Sequence, residues 1–176
     1  MKINRKSKIF IAGHNGMVGS AIKKKFEEKG FQKIVIIEKK KLNLLDQKKV
    51  FNFLKKKKPH LVILAAARVG GIIANSSFKS QFIYENLQIQ NNIIHGSYKS
   101  GVKNLIFLGS SCIYPRLSKQ PIKEEYILTG ALEKTNDAYA IAKIAGITMC
   151  KNYSESYGLN YKCFMPSNMY GPRDNY

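Results

Sequence analysis

KIFIAGHNGMVGSAI, residues 8–22, is the stretch on which the fold turns. An apolar run over 9–12 breaks at Gly13, glycine returns at Gly16 and Gly19, and a helical apolar pattern takes over at Ala21, Ile22 and Phe26. A strand, a glycine turn and a helix in that order predict a parallel α/β sheet with the head of the first helix at its carboxyl edge. The unpaired N–H groups and positive dipole end of that helix suit a bound pyrophosphate. Gly13 allows the tight turn, Gly16 lets a ligand approach the backbone, and Gly19 lets helix and strand pack closely. The spacing is GxxGxxG rather than the more familiar GxGxxG, so its weight comes from its place between a buried strand and an amphipathic helix. A strand-to-helix turn that merely needs glycine is the competing reading.

Outward from this stretch, 176 residues with 44% apolar content suffice for one domain with a proper core and are short for two. The net charge of +19 comes from 30 Lys+Arg against 11 Asp+Glu, and only Arg5, Arg68, Arg116 and Arg173 are arginines. Lysines scattered over helix faces and loops, without clustered arginine and exposed aromatics, argue against a nucleic-acid reader. They predict a solvated basic surface that steers anionic substrates. Cys112, Cys150 and Cys163 show no CxxC pairing and no histidine cluster, so neither a metal site nor a disulfide framework is expected. The basic start MKINRKSK precedes an apolar run only a strand long, so no signal peptide or membrane span is read. A reducing, cytoplasmic setting is the expectation.

Gly30 stops the first helix, and residues 31–37 read as a second strand ending at Glu38. An acidic residue at that place favours the free ribose of NAD, while neighbouring basic residues favour the 2′-phosphate of NADP. Lys39, Lys40 and Lys41 follow Glu38 and tip the reading toward NADP over NAD, against a plain charged turn. Residues 42–45 read as a short strand end, and Asp46 as the N-cap of a helix over 47–56 with Val50, Phe51 and Leu54 turned inward. The lysine run 55–58 suits that helix's C-terminus. Residues 61–67 form a third, continuously apolar strand whose small end, Ala65, Ala66 and Ala67, suits a ligand crossing the sheet. A loop from Arg68 and a polar stretch to Ser80 lead into a long helix over 81–100. Its exposed-looking apolar and amide residues make it a candidate dimer face. Gly101 caps it and 102–108 supply the fourth strand. Three βαβ crossovers in series predict a doubly wound parallel sheet.

The fourth strand runs into Gly109, Ser110, Ser111, Cys112, Ile113, Tyr114 and Pro115, placing two hydroxyls and a thiol at the carboxyl edge. Downstream, Tyr139 and Lys143 lie one helical turn apart, so both point the same way from one helix. An ammonium beside a phenol favours the phenolate and is expected to lower its reference pKa of ~10 toward the range of a general acid. A serine hydroxyl opposite could hold a substrate carbonyl oxygen. YxxxK alone is a weak signal on a solvated helix.

Joined to Gly13/Gly16/Gly19 and Ser110, however, Tyr139/Lys143 resembles the extended short-chain dehydrogenase/reductases, with a Rossmann-type NAD(P)-binding sheet. The blocks FIAGHNGMVGSAI, LNLLD, AAARVGGI, NNIIH, FLGSSCIYP, YAIAKIAGI and PSNMYGPRDN, in that order, are similar to the GDP-L-fucose synthase family from about Lys8 to the last residue. The resemblance implies one site with two chemistries on GDP-4-keto-6-deoxy-D-mannose: epimerisation at C3 and C5, then NADPH-dependent reduction at C4. It implies Tyr139 as the acid at the C4 oxygen, Lys143 as its tuner and ribose anchor, Ser110 on the keto oxygen and Cys112 as epimerisation base. Without the family, Cys112 reads as a small packing residue, as Cys150 and Cys163 still do.

Cofactor contacts implied by the family fall on Gly13, His14, Asn15, Gly16, Met17, Val18 and Gly19, then on Lys39, Lys40, Lys41, Leu42, Asn43 and Leu44. They continue at Leu108, Gly109, Ser110 and Ser111, at Lys143, and at Pro166, Ser167, Asn168 and Met169 after a fifth strand over 161–165. Asn15 stands where relatives commonly place an arginine, which leaves Lys39 with more of the 2′-phosphate. His14, His60 and His95 do not stand where the family's epimerisation acid does. Members of the family continue past GPRDN into a second, sugar-binding domain that supplies that histidine. Residues 1–176 are therefore expected to be one dinucleotide-binding domain with the substrate domain missing, as a fragment or as a short form with little turnover. A homodimer is expected. A related nucleotide-sugar epimerase or dehydratase, against which Cys112 argues, and a non-catalytic dinucleotide-binding module are the alternatives.

Overall fold

β1 (Lys8–Ala12), buried on both faces from Ile9 onward, organises the computed structural model, which describes residues 3–174. Asn175, the last residue of the PSNMYGPRDN block, and Tyr176 lie outside the described residues. β1 pairs in parallel with β2 (Lys33–Val35) on one side and β3 (Leu61–Leu64) on the other. β4 (Asn104–Leu108) and β5 (Asn160–Phe164) extend the sheet in the order 2-1-3-4-5, all parallel. Among the described residues five α-helices connect the strands: α1 (Met17–Glu28), α2 (Gln47–Lys57), α3 (Ile72–Ser77), α4 (Lys79–Lys99) and α5 (Asp137–Tyr157). The winding reverses at β1, so the carboxyl ends of β1 and β3 flank the switch point at which open α/β sheets bind ligands.

The period of two along each strand divides the core. Ile9, Ile11, Leu61 and Ile63 pack with Ile22 and Phe26 of α1. Phe10, Val62, Leu64, Leu105 and Phe107 pack with Val50 and Leu54 of α2, Ile93 and Ile94 of α4 and Cys150 of α5. The sheet is therefore covered on both faces, as a doubly wound fold requires. Each large side chain buried completely, Phe10 and Phe107 among them, contributes about 1.5–3 kcal/mol.

Several boundaries differ from the sequence reading for local reasons. β2 is three residues rather than seven, because Phe31 leaves the ladder: its N–H donates to Phe26 O at 3.0 Å and its ring meets Phe26 edge-on at 4.8 Å. Residues 42–45 form no strand, since the N–H groups of Lys41 and Leu42 both donate to Glu38 O and close a turn. β3 stops at Leu64, leaving residues 65–67 as an extended rim beside Gly13. β4 starts at Asn104 rather than Val102, whose N–H caps α4 at Ser97 O. The polar stretch before Ser80 contains α3, which the sequence reading missed.

Asn86, Gln90 and Asn92 of α4 face inward, while Gln81 and Asn91 are exposed. Gln90 Nε2 donates to Ala142 O at 2.7 Å, and Asn92 Nδ2 donates to Leu44 O at 2.8 Å. Asn86, Gln90 and Asn92 are each at most 3% exposed. The buried N–H groups of Gln90 and Asn92 are thereby satisfied by carbonyls of α5 and of the 42–45 turn. The dimer-face reading of these amides is corrected accordingly.

Candidate active site

The glycines of the first turn divide by function. Gly13 has φ +92°, and a Cβ there would sit 2.5 Å from Ala66 N. A Cβ on Gly19 would lie 2.0 Å from Gly13 O. Both are fixed by the chain's own packing. Gly16 is different, because its φ is −74° and a Cβ would meet nothing nearer than Gly13 O at 3.6 Å. Gly16 is also the N-cap of α1 with no side-chain cap, and the first turn of α1 carries no acidic residue. Room, open N–H groups and the dipole end coincide, which fits the pyrophosphate of a dinucleotide.

An open cleft of ≈ 1050 Å³ adjoins the turn, lined among others by His14, Asn15, Val18, Glu38, Asn168 and Arg173. Met17 and Met169 line it as well. His14 is buried, and desolvation lowers its pKa, with Lys23 and Arg173 adding and Glu38 opposing, so the imidazole is neutral at pH 7. Lys39, Lys40 and Lys41 stand exposed on the turn after Glu38. The Leu42 side chain is committed to the core and Leu44 packs against it. Asn43 Oδ1 accepts the N–H of Leu45 at 3.1 Å.

The second half of the site forms where β4 ends. Ser110 is extended and caps a 3₁₀ turn, Ser111–Ile113, its Oγ accepting the N–H of Cys112 at 3.4 Å. Gly109 N–H donates to Phe164 O at 2.8 Å and Ser111 N–H to Pro166 O at 3.2 Å, tying this segment to the loop that carries Ser167, Asn168 and Met169. From α5, Lys143 reaches the same place: its Nζ donates to Leu108 O at 2.7 Å and lies 4.8 Å from the Phe107 ring centroid and 5.5 Å from that of Tyr139. Ser110, Cys112, Tyr139 and Lys143 thus converge.

Their electrostatics correct one expectation. Burial dominates at Tyr139 and raises its phenol, with Cys112 adding, in place of the lowering expected from Lys143. Lys143 is 4% exposed, and desolvation pulls it down to about 8, with Cys112 opposing. Burial also raises Cys112, while Ser110 and Lys143 pull it down. At pH 7 the cluster holds a protonated phenol, a protonated thiol and a largely cationic lysine. That is a site loaded to donate protons and to receive negative charge.

Two contributions escaped the sequence reading. Asn86 clamps the rim after β3: its Oδ1 accepts Arg68 N–H at 2.8 Å, and its Nδ2 donates to Arg68 O at 3.0 Å and Phe82 O at 2.9 Å. Arg173 lines the cleft from the far end of the chain. Neither carries a local signature. Among the described residues no group of three His, Cys, Asp or Glu is placed to hold a metal ion, and no helix is long and apolar enough to cross a membrane.

Residues 9–176 match the model of the NAD dependent epimerase/dehydratase family. A GDP-L-fucose synthase of Escherichia coli (strain K12) is 51% identical over 171 residues, covering 97% of this chain and 53% of that protein. GDP-L-fucose synthase 1 of Arabidopsis thaliana is 52% identical over 173 residues, covering 98% of this chain and 54% of its own. Among solved structures, a GDP-mannoheptose C4 reductase from Campylobacter jejuni with NADP bound has a TM-score of 0.95 at 41% identity, covering 99% of this chain and 55% of that one. The chain spans about half the length of the curated relatives it matches.

Proposed function

The chain belongs to the NAD dependent epimerase/dehydratase family, and from that premise we propose that it carries the dinucleotide-binding and proton-transfer groups of a GDP-L-fucose synthase-type enzyme. The reaction is 3,5-epimerisation of GDP-4-keto-6-deoxy-D-mannose followed by NADPH-dependent reduction at C4 to GDP-L-fucose. The observation that carries this reading is the convergence of Ser110, Cys112, Tyr139 and Lys143 at the end of β4, on the carboxyl edge that also bears the glycine turn. Gly13, His14, Asn15, Gly16, Met17, Val18 and Gly19 hold the pyrophosphate side of NADP, and Leu108 to Ser111 with Pro166 to Met169 border its reactive end. When bound, NADPH supplies the hydride for C4.

The remaining chemistry belongs to the protein. Cys112, as its thiolate, removes the protons at C3 and C5, each acidified by the adjacent ketone, and the histidine that the family's second domain supplies returns a proton to each carbon from the opposite face. Burial holds its thiol up, while the Lys143 cation and the Ser110 hydroxyl beside it favour the thiolate that does this work. Ser110 Oγ donates to the keto oxygen and stabilises the enolate. Tyr139, proton-loaded by burial, protonates the same oxygen during reduction, and Lys143 stabilises the phenolate left behind. This reading takes residues 1–176 as one dinucleotide-binding domain in a reducing cytoplasm, consistent with three free cysteines. It includes a homodimer, with exposed Tyr84 of α4 and Ile141 of α5 as apolar contacts.

The test uses the full-length gene product with the keto sugar in deuterated water. Cys112→Ala is expected to stop deuterium incorporation at C3 and C5 while an already epimerised ketone is still reduced. Tyr139→Phe is expected to lose hydride transfer by about 10²–10⁴-fold and to keep exchange. Equal loss of both steps in both variants refutes the division. A second reading, C4 reduction of a GDP-sugar without epimerisation, is favoured by the likeness to the GDP-mannoheptose C4 reductase. Reduction by the native protein without exchange at C3 and C5 would identify it.

A further inference from the structure

We propose that Arg173 selects a 2′-phosphorylated dinucleotide in the cleft beside the glycine turn, an assignment that rests on the NADP reading above. The cleft is walled on one side by His14, Asn15 and Val18 of the turn and by Glu38 after β2, and on the other by the strand-exit loop from Asn168 to Arg173. Its β2 side presents a carboxylate, Glu38, which alone would repel a phosphate dianion. The turn offers a neutral amide at Asn15 and a neutral imidazole at His14. The charge balance therefore has to come from cations that reach the cleft from other elements. Lys23 and Lys24 do so from α1, the Lys23 Nζ engaged by Glu27 at 2.9 Å and both offering a point charge rather than a fork. Arg173 supplies the guanidinium, the group whose planar fork matches a phosphate with two parallel hydrogen bonds.

Arg173 is held there by an unusual backbone. The N–H of Asp174 donates to Gly171 O at 3.2 Å, closing the turn Gly-Pro-Arg-Asp. Arg173, third in this turn, has φ +70°, a left-handed conformation that turns ordinarily give to glycine or asparagine. A long charged side chain at a strained position is a feature that packing does not ask for. His14 feels Lys23, Glu38 and Arg173 together, which places all three charges around one end of the cleft.

The experiment titrates the chain with NADPH, NADH, adenosine 2′,5′-bisphosphate and AMP by calorimetry, alongside thermal unfolding. The native chain is expected to prefer the phosphorylated member of each pair. Arg173→Gln is expected to weaken NADPH and the bisphosphate about tenfold, one charge-assisted contact's worth, and to leave NADH and AMP within about twofold. Arg173→Gly relieves the left-handed backbone, so it is expected to unfold no earlier than the native chain and still to lose the preference. Loss of discrimination without loss of stability is the signature of a ligand contact. If the native chain binds NADPH and NADH equally, the NADP reading fails and this assignment with it. If the native chain prefers NADPH, both Arg173 variants keep that preference and Lys39→Ala loses it, the NADP reading stands. The phosphate then belongs to the lysine turn after Glu38, and the assignment to Arg173 is overturned.

Discussion

Gly16→Ala and Gly19→Ala, three residues apart, are expected to fail in opposite ways. At Gly19 the new methyl would lie 2.0 Å from the carbonyl oxygen of Gly13, which is backbone and cannot swing aside. Overpacking of this kind costs about 1–3 kcal/mol, and a rigid partner puts it near ~3. Alanine in a helix interior returns about 1 kcal/mol of propensity. The net loss of ~2 kcal/mol converts to a Tm lower by about 4–8 °C for a chain of this size. At Gly16 the methyl meets nothing nearer than 3.6 Å, so only the weaker capping of alanine counts, about 0.5–1 kcal/mol or ~1–4 °C. That methyl, however, occupies the space left for the pyrophosphate, and NADPH affinity is expected to fall about 10- to 100-fold, the equivalent of ~1.4–2.8 kcal/mol. Circular-dichroism melts and NADPH titrations of the two variants decide the matter. A Gly16→Ala chain that binds NADPH like the native one, or a Gly19→Ala chain with the native Tm, would refute the division of the turn into packing and ligand glycines.

Lys143 makes a pH prediction with a definite sign. Burial lowers it from 10.5 to about 8, so between those values the unfolded chain holds a proton that the folded chain has released, and its contribution to stability rises with pH. The difference in unfolding free energy between the native chain and Lys143→Met, from urea melts at pH 7, 8, 9 and 10, is expected to grow in the native chain's favour by up to ~3 kcal/mol; a flat difference would show that the lysine is not desolvated. Asn86→Leu keeps the volume but deletes three hydrogen bonds to Arg68 and Phe82, worth about 1 kcal/mol each. The Tm is expected to drop by about 6–12 °C, with faster hydrogen exchange at Arg68, and an unchanged Arg68 amide would sink the clamp.

What the residues determined by themselves was whatever depends on neighbours in sequence. The break of an apolar run by Gly13, the continuously apolar strands and the caps at Gly30 and Gly101 define β1, α1 and the parallel winding without reference to any distant atom. The YxxxK spacing likewise put Tyr139 and Lys143 on one face of α5, because 3.6 residues make a turn. What only the tertiary structure decided was which groups are taken out of water and what meets them there. Tyr139 reads as a phenol lowered by lysine, yet α5 seats it where desolvation raises it and the Lys143 ammonium is spent on Leu108 O. The amides of α4 read as part of a dimer face, yet packing buries Gln90 and Asn92 against α5 and the 42–45 turn, whose carbonyls accept their N–H groups. Arg173 has no motif of its own and gains a role only when the loop after β5 folds back on the glycine turn 160 residues earlier. Burial and long-range pairing depend on where remote chain segments arrive, and no local pattern of residues records that.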